Sequence, residues 1–302
     1  NREGAPVFNR TVSANLGMSY SIANVLLEAG PKAIGKWLPF ELSESELKDR
    51  LRNKMIRPTT IPQTLEDLWL EQAVCREALR LSLAHHRLLA VGLSGTQQKR
   101  GIADLFVQAR NRYELVDLQK LDLVIGSGGV LSHAPNRMSA ALMMLDGFAL
   151  EGVTQLAVDS IFMMPHLGVL ASVNEKASTE IFLKDCLINL GHAVVASFSG
   201  SLRQRELGKV FCDGKLIGSI ERGRLKHVEM ETGITVSLHV EPSGASINVG
   251  AGAGKPYSGQ VKVGHCGLFL DGRNRPIEFP KSDTERILII KDLYKHLGLM
   301  EI

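Results

Sequence analysis

Leu121-Asp-Leu-Val-Ile125 is a short apolar run with one polar residue, and it ends abruptly at Gly126-Ser-Gly-Gly129. This pattern predicts a strand followed by a tight turn, because glycine readily adopts the positive φ angles that such a turn needs. Pro135 lies where the first turn of a following helix tolerates proline, and apolar residues recur at helical spacing over residues 138–148. A second strand is predicted at residues 155–158. The alternation of strand, turn and helix indicates an α/β fold.

The first half of the chain is predicted to be mainly helical. Helices are expected over residues 16–29, 43–55 and 65–89, and the third carries apolar side chains close to the helical period. Ser43 and Glu46 have the spacing of a capping box at the start of the second helix. The third helix is long enough to form one wall of a domain.

The composition changes after about residue 173, where glycine and β-branched residues become frequent. Apolar and polar residues alternate over residues 234–240, which is typical of a half-buried strand. Asp213-Gly214 has the composition of a hairpin turn, and a closing strand and helix are expected over residues 283–297. The sequence therefore predicts a helix-rich domain at residues 1–172 and a β-rich module at 173–302.

Composition and charge limit the classes of function that are expected. The chain has 302 residues and a net charge of only +3, with 5% aromatic residues, so neither a nucleic acid nor a membrane surface is expected as a partner. No apolar run reaches membrane-spanning length, and a cytoplasmic protein is expected. Buried reduced thiols are expected rather than a disulfide or zinc site at the four widely spaced cysteines, Cys75, Cys186, Cys212 and Cys266. The chain begins at Asn1-Arg-Glu-Gly without a methionine, which suggests a piece of a longer protein.

Two glycine-rich segments are candidates for phosphate or nucleotide binding. A helix that follows Gly126–Gly129 would offer unpaired N–H groups to an anion or nucleotide, although an ordinary strand-to-helix turn has the same composition. The segment Gly250-Ala-Gly-Ala-Gly-Lys255 does not fit a phosphate-binding P-loop. Only three residues separate Gly250 from Gly254, and Pro256 replaces the required Ser or Thr. A turn or bulge between strands is expected there.

The residues alone indicate no reaction. His85 and His86 are adjacent on a predicted helix, so their side chains diverge and do not readily share a metal ion. The sequence contains no nucleophile elbow and no pair of carboxylates suited to acid–base chemistry. No catalytic residue and no metal ligand are predicted.

Four stretches resemble the glutamate mutase accessory, or reactivating, protein family, which is also called GlmL or MutL and is unrelated to the mismatch-repair protein of that name. They are Arg10-Thr-Val-Ser-Ala-Asn-Leu-Gly-Met18, Val124-Ile-Gly-Ser-Gly-Gly-Val-Leu-Ser-His133, Val158-Asp-Ser-Ile-Phe-Met-Met-Pro-His-Leu-Gly-Val-Leu170 and Gly250-Ala-Gly-Ala-Gly-Lys-Pro256. The resemblance extends over essentially the whole chain.

The resemblance implies a fold. Family members are similar to the actin, Hsp70 and sugar kinase superfamily, in which two lobes close over a nucleotide. Residues 1–172 would then be the second lobe of an actin-like (ribonuclease H-like) ATPase fold with helical insertions, and 173–302 a β-rich C-terminal module. The two phosphate loops of the fold are not found and would precede residue 1, in an N-terminal lobe that this chain lacks.

The resemblance also implies a function. The expected role is that of a reactivase or chaperone for an adenosylcobalamin-dependent mutase, such as glutamate mutase or an aminomutase, with ATP-driven release of damaged cobalamin. ATP and Mg²⁺ would be cofactors of the full-length protein, and mutase subunits its partners. Gly126, Ser127, Gly128 and Gly129 match the adenosine motif and would contact adenine or ribose. No Asp-x-His-x-x-Gly pattern is present, so direct ligation of cobalamin is not expected.

One departure from the family leaves a second function open. The family usually has Glu-Gly-Asp where this chain has Ser13-Ala14-Asn15. Acidic side chains that could bind magnesium or position water are therefore missing from this segment. The alternative is a non-catalytic scaffold or assembly factor that kept the ATPase fold but lost hydrolysis. A small-molecule kinase on the same fold is a third reading, without a visible catalytic Asp. Because phosphoryl transfer needs positioned donors and a metal ion, this chain alone is expected to be inactive and to bind ATP weakly or not at all.

Overall fold

The computed structural model describes residues 9–90, 116–198 and 204–300. In these residues the chain forms the helices α1 Ile22–Ala29, α2 Pro31–Gly35, α3 Glu44–Ile56, α4 Leu65–Leu89, α5 Gly129–Ser132, α6 Arg137–Phe148, α7 Met164–Ala171, α8 Glu175–Ile181 and α9 Asp283–His296. The strands are β1 Leu123–Gly126, β2 Gly152–Asp159, β3 Leu187–Val195, β4 Ser197–Phe198, β5 Glu206–Cys212, β6 Lys215–Glu221, β7 Leu225–Val228, β8 Thr235–Pro242, β9 Ile247–Asn248, β10 Tyr257–Lys262 and β11 Leu268–Asp271.

The predicted helices form, with two differences in their extent. At the start of α3, the Ser43 hydroxyl accepts the N–H of Glu46 at 3.2 Å, as the capping pattern predicts. The helix expected from residue 16 begins only at Ile22, because residues 16–19 turn aside to form the wall of a cleft described below. The strand expected near residue 283 is wrong. The Ser282 hydroxyl caps a continuous helix there, and Arg286, Ile290 and Tyr294 form the buried face of α9.

A five-stranded mixed sheet lies at the centre of the fold, in the order β1-β2-β3-β11-β7. β1 and β2 are parallel, as are β3 and β11, while β2–β3 and β11–β7 are antiparallel. The mixed α/β class predicted from the sequence is confirmed. The predicted boundary near residue 173 lies in the loop between α7 and α8, and a division there would cut this sheet. The separation into domains 1–172 and 173–302 stays a prediction.

A second, antiparallel sheet has the order β10-β8-β5-β6. Its β5–β6 hairpin turns at Asp213 and Gly214, whose φ angles are +49° and +77°. Two successive positive φ angles match the right-handed twist of the strands, so the predicted hairpin turn is confirmed.

The two faces of the central sheet pack against different layers. Phe269 packs with α6 and α9, whereas its neighbours Leu268 and Leu270 pack with Val210 and Leu238 of the second sheet. This alternation follows from the pleat, which sends successive side chains to opposite faces. The fold is therefore a layer of helices, the mixed sheet and the antiparallel sheet. A third apolar cluster holds α1–α4 together.

No helix in the described ranges is both long enough and apolar enough to cross a membrane.

Candidate functional site

The glycine turn lies at the carboxyl end of β1, beside the carboxyl end of its parallel neighbour β2. Gly128 has φ +111° and ψ 154°, a combination that is almost restricted to glycine, and it directly precedes α5. A Cβ atom on Gly128 or Gly129 would meet no atom within 4 Å, whereas one on Gly126 would lie 2.7 Å from the Met144 Sδ. Gly126 therefore allows close packing on α6, and the two later glycines leave bare backbone beside open space.

Asp159, the last residue of β2, fastens this turn to the sheet. Its Oδ2 accepts the Ser127 hydroxyl at 3.4 Å and the Met164 N–H at 2.9 Å, and its backbone carbonyl accepts the Ser132 hydroxyl. The side chain is fully buried, and Oδ1 has no hydrogen-bond partner among the described residues. The sequence analysis did not select Asp159 as a site residue. The feature that could have indicated it is an aspartate at the end of an apolar strand.

A cleft of about 1020 Å³ opens beside the turn. Its volume lies near the upper end of the roughly 300–1,000 Å³ range of small-molecule sites. Its walls are the segment 16–19, the segment 58–65, the turn with residues 127–135, and one face of α4. Beyond Leu65, the α4 residues in this wall recur at the spacing of one helical face: Leu68, Glu71, Gln72, Cys75, Ala78, Leu79 and Ser82.

The segment before residue 16 is held against α4 by the two adjacent histidines. Thr11 Oγ1 lies 2.7 Å from His86 Nδ1, and Ser13 Oγ lies 3.2 Å from His85 Nδ1. His85 Nε2 in turn lies 2.6 Å from a Glu28 carboxylate oxygen. The histidines thus position the chain that continues into the cleft wall, and Ser13-Ala14-Asn15 lies directly before that wall.

A buried ionic cluster joins the helical layer to the sheet behind the cleft. The Arg76 Nε on α4 donates to Asp146 on α6 at 2.8 Å, and the Arg273 Nη1 lies 2.9 Å from the other Asp146 oxygen. Asp271 accepts from Arg273 and Arg275 at 2.8–3.0 Å. Burial alone would raise the pKa of Asp271, but the two facing guanidinium groups outweigh it and hold this pKa well below its usual range.

The second glycine segment is an ordinary turn, as predicted. Gly250, Gly252 and Gly254 all have positive φ angles, and the Asn248 Oδ1 accepts the N–H groups of Gly250 and Gly252 at 2.9 and 3.0 Å. These donors are therefore satisfied by the turn's own side chain rather than being open to a phosphate.

The four cysteines are buried free thiols, as predicted. Burial raises the pKa of Cys75 to about 12 and that of Cys266 to about 11. Among the described residues, no group of three or more His, Cys, Asp and Glu side chains is arranged to hold a metal ion.

Comparison with known proteins identifies the family. The family model described as MutL protein matches residues 2–186. Protein MutL of Clostridium tetanomorphum is 25% identical over 175 residues, which cover 55% of this chain and 34% of that protein. This chain thus matches about a third of the length of its curated relative. No solved structure matches the chain.

The family match stops at residue 186, short of the whole-chain resemblance inferred from the sequence motifs. It does include every wall of the cleft, the glycine turn and Asp159. Because the match covers more than half of the 302 residues, the chain belongs to the MutL protein family.

Proposed function

We propose that this chain is part of an accessory protein, a reactivase or chaperone, of an adenosylcobalamin-dependent mutase such as glutamate mutase or an aminomutase. Membership of the MutL family supports the role as a mutase accessory protein. We further propose that residues 1–172 belong to the second lobe of an actin-like ATPase fold, that the β-rich module 173–302 is joined to it through the shared central sheet, and that the cleft binds the nucleoside part of ATP.

The observation that carries the nucleotide proposal is the position of the Gly126–Gly129 turn. Ligands of α/β proteins bind outside the carboxyl ends of parallel strands, and this turn lies at the carboxyl ends of β1 and β2. Its Ser127, Gly128 and Gly129 line the 1020 Å³ cleft, and their bare backbone faces open space. Cys75 and Leu79 on the opposite α4 wall supply apolar surface for a flat base.

The lining of the cleft does not fit a magnesium ion. Among the described residues, Glu71 is the one carboxylate in the lining, and Lys54 neutralises it at 2.9 Å. Mg²⁺ in phosphoryl-transfer sites is bound through carboxylates together with the phosphates of the substrate. These residues are therefore assigned no role in metal binding or hydrolysis.

The lack of free carboxylates in the cleft lining favours a second candidate function, a non-catalytic scaffold that kept the fold and lost hydrolysis. Ser13 uses its hydroxyl to contact His85, and Ala14 has no polar group, so this segment supplies no carboxylate beside the cleft. ATP turnover by the full-length protein, with and without the mutase, separates a reactivase from a scaffold. Phosphate release stimulated by the mutase supports the reactivase, and binding without release supports the scaffold.

Nucleoside binding is tested by saturation-transfer NMR on the purified 302-residue chain with millimolar adenosine and ATP. We expect transfer to the adenine and ribose protons, with weak affinity. The full-length protein is tested in the same way, and absence of transfer to either ligand from both proteins would overturn the nucleotide proposal. The accessory role is tested separately by co-elution of the chain with purified subunits of the mutase from the same organism, and failure to co-elute with or without ATP would argue against it.

A further inference from the structure

We propose that residues 57–64 form a movable strap along the cleft, and that Lys54 is the latch that holds this strap in place. The strap would control access to the cleft whatever ligand binds there. Its movement can therefore be tested without a ligand.

The strap connects α3 to α4, and open space lies on both of its sides. Residues 58–64 line the 1020 Å³ cleft. Residues 60–63 also line a second cavity of about 320 Å³, whose other walls are α3, α4 and Ile22 of α1. A wall with space on both sides can shift without displacing a packed layer of side chains.

The strap buries little of its own surface. Six of its eight residues are exposed and none is buried, and Ile61 is 69% exposed. None of its residues belongs to the three apolar clusters formed by the described part of the chain. Segments with few buried apolar contacts are those that open locally at a low free energy. The strap is therefore held by polar contacts rather than by the core.

Lys54, in the last turn of α3, fixes the middle of the strap. Its Nζ donates to the Thr60 carbonyl and lies 2.9 Å from a carboxylate oxygen of Glu71 on α4. Within the described ranges, the other hydrogen bonds of residues 58–63 join residues of the strap to each other. The side chains of Lys54 and Glu71 are only 19% and 16% exposed, so water screens this pair less than a surface ion pair.

Loss of the Lys54 charge would release the strap for two reasons. The Thr60 carbonyl would lose the donor that joins it to α3. The Glu71 carboxylate would lose its cation at a position with little access to water, so hydration of this carboxylate would favour an open strap. Removing a hydrogen bond from a charged donor shifts an equilibrium by roughly tenfold or more.

The experiment measures the distance between two spin labels by electron paramagnetic resonance, one on the strap at Thr59→Cys and one at His133→Cys. Both positions are exposed and line the cleft, whereas the four native thiols are buried. Lys54→Met keeps an unbranched side chain but removes the charge, and we expect it to raise the fraction of molecules with a longer distance by about tenfold. Lys48→Met is the matched control. Lys48 lies on the same helix and pairs with Glu44 at 3.7 Å on the surface, so this variant should keep the parent's distances.

Three results would overturn the assignment. Distances that are unchanged in Lys54→Met would show that Lys54 does not hold the strap. An equal change in Lys48→Met would show a general effect of charge loss on α3. Loss of the helical circular dichroism signal in Lys54→Met would show that Lys54 supports the fold of α3 and α4 instead of acting as a latch. Each of these results leaves the nucleoside-binding proposal untouched, because no ligand enters the measurement.

Discussion

Asp271→Asn should be among the most destabilising isosteric substitutions in this protein. The Asp271 carboxylate is fully buried. It accepts the backbone N–H of Arg273 at 2.9 Å and the guanidinium N–H groups of Arg273 and Arg275 at 2.8–3.0 Å. An asparagine in its place would keep one acceptor oxygen but turn an NH₂ group toward a guanidinium. The side chains of Arg273 and Arg275 are 9% and 8% exposed, so water cannot replace the lost carboxylate.

The magnitude follows from the charge balance of the cluster. Among the described residues, the carboxylates that pair with Arg76, Arg273 and Arg275 are those of Asp146 and Asp271, so the substitution leaves a single carboxylate among three buried cations. Removing one partner of a buried ion pair costs about 3–5 kcal/mol, because the remaining charge stays desolvated. That is a large fraction of the roughly 5–15 kcal/mol that stabilises a typical domain.

Urea unfolding followed by circular dichroism at pH 7 measures this loss. Asp49→Asn is the matched control, because Asp49 pairs with Arg52 at 3.6 Å on the surface and both side chains are more than 60% exposed. We expect the control to change stability by no more than about 0.5 kcal/mol. A loss below about 1 kcal/mol for Asp271→Asn, with an unchanged m-value, would refute the view that this cluster holds the layers together.

The same residue predicts a pH dependence with a definite sign. The pKa of Asp271 is lower in the folded protein than in the unfolded chain, so the unfolded chain binds more protons in acid. The stabilisation is complete above the unfolded value of about 4 and is lost as the pH falls toward the folded value. The difference in stability between the parent and Asp271→Asn should therefore shrink between pH 5 and pH 3. A constant difference over that range would contradict the assignment.

Three further predictions concern the turn, a buried histidine and the thiols. Gly128→Ala should cost about 1–3 kcal/mol in urea unfolding, because its φ of +111° with ψ 154° strains any other residue, whereas Gly129→Ala should be nearly neutral since open space surrounds it. Equal effects of the two substitutions would argue against this geometry. Burial lowers the pKa of His192 to about 4, so stability should fall as the pH drops from about 6.5 toward 4, and NMR titration of the ring should give a value near 4 rather than 6.5. Cys75 and Cys266, with pKa values raised by burial to about 12 and 11, should resist a thiol reagent at pH 8 until urea unfolds the protein, and rapid labelling of the native chain would contradict their burial.

Local features of this protein were readable from the sequence because neighbouring residues decide them. The 25-residue α4 has the predicted bounds, since a helical apolar period and the Thr64 cap lie within its own sequence. The Asp213-Gly214 hairpin was predicted for the same reason, because two positive φ angles depend only on the turn residues. The strand and turn predicted at residues 121–129 also formed, with the strand at Leu123–Gly126, whereas their role in nucleotide binding stays a proposal.

The arrangement of these pieces was decided by tertiary contacts that no local pattern records. The sequence did not indicate that β11 would lie between β3 and β7, because strand pairing depends on which distant apolar faces pack best. The Asp271 cluster was missed, since its arginines and aspartates are separated by up to about 200 residues and each looks like a surface charge alone. Asp159 was also missed, because an ordinary polar residue becomes distinctive only when burial removes water from its side chain. The composition and the spacing of apolar residues thus determined the helices and strands. The burial imposed by packing determined which side chains form the candidate site.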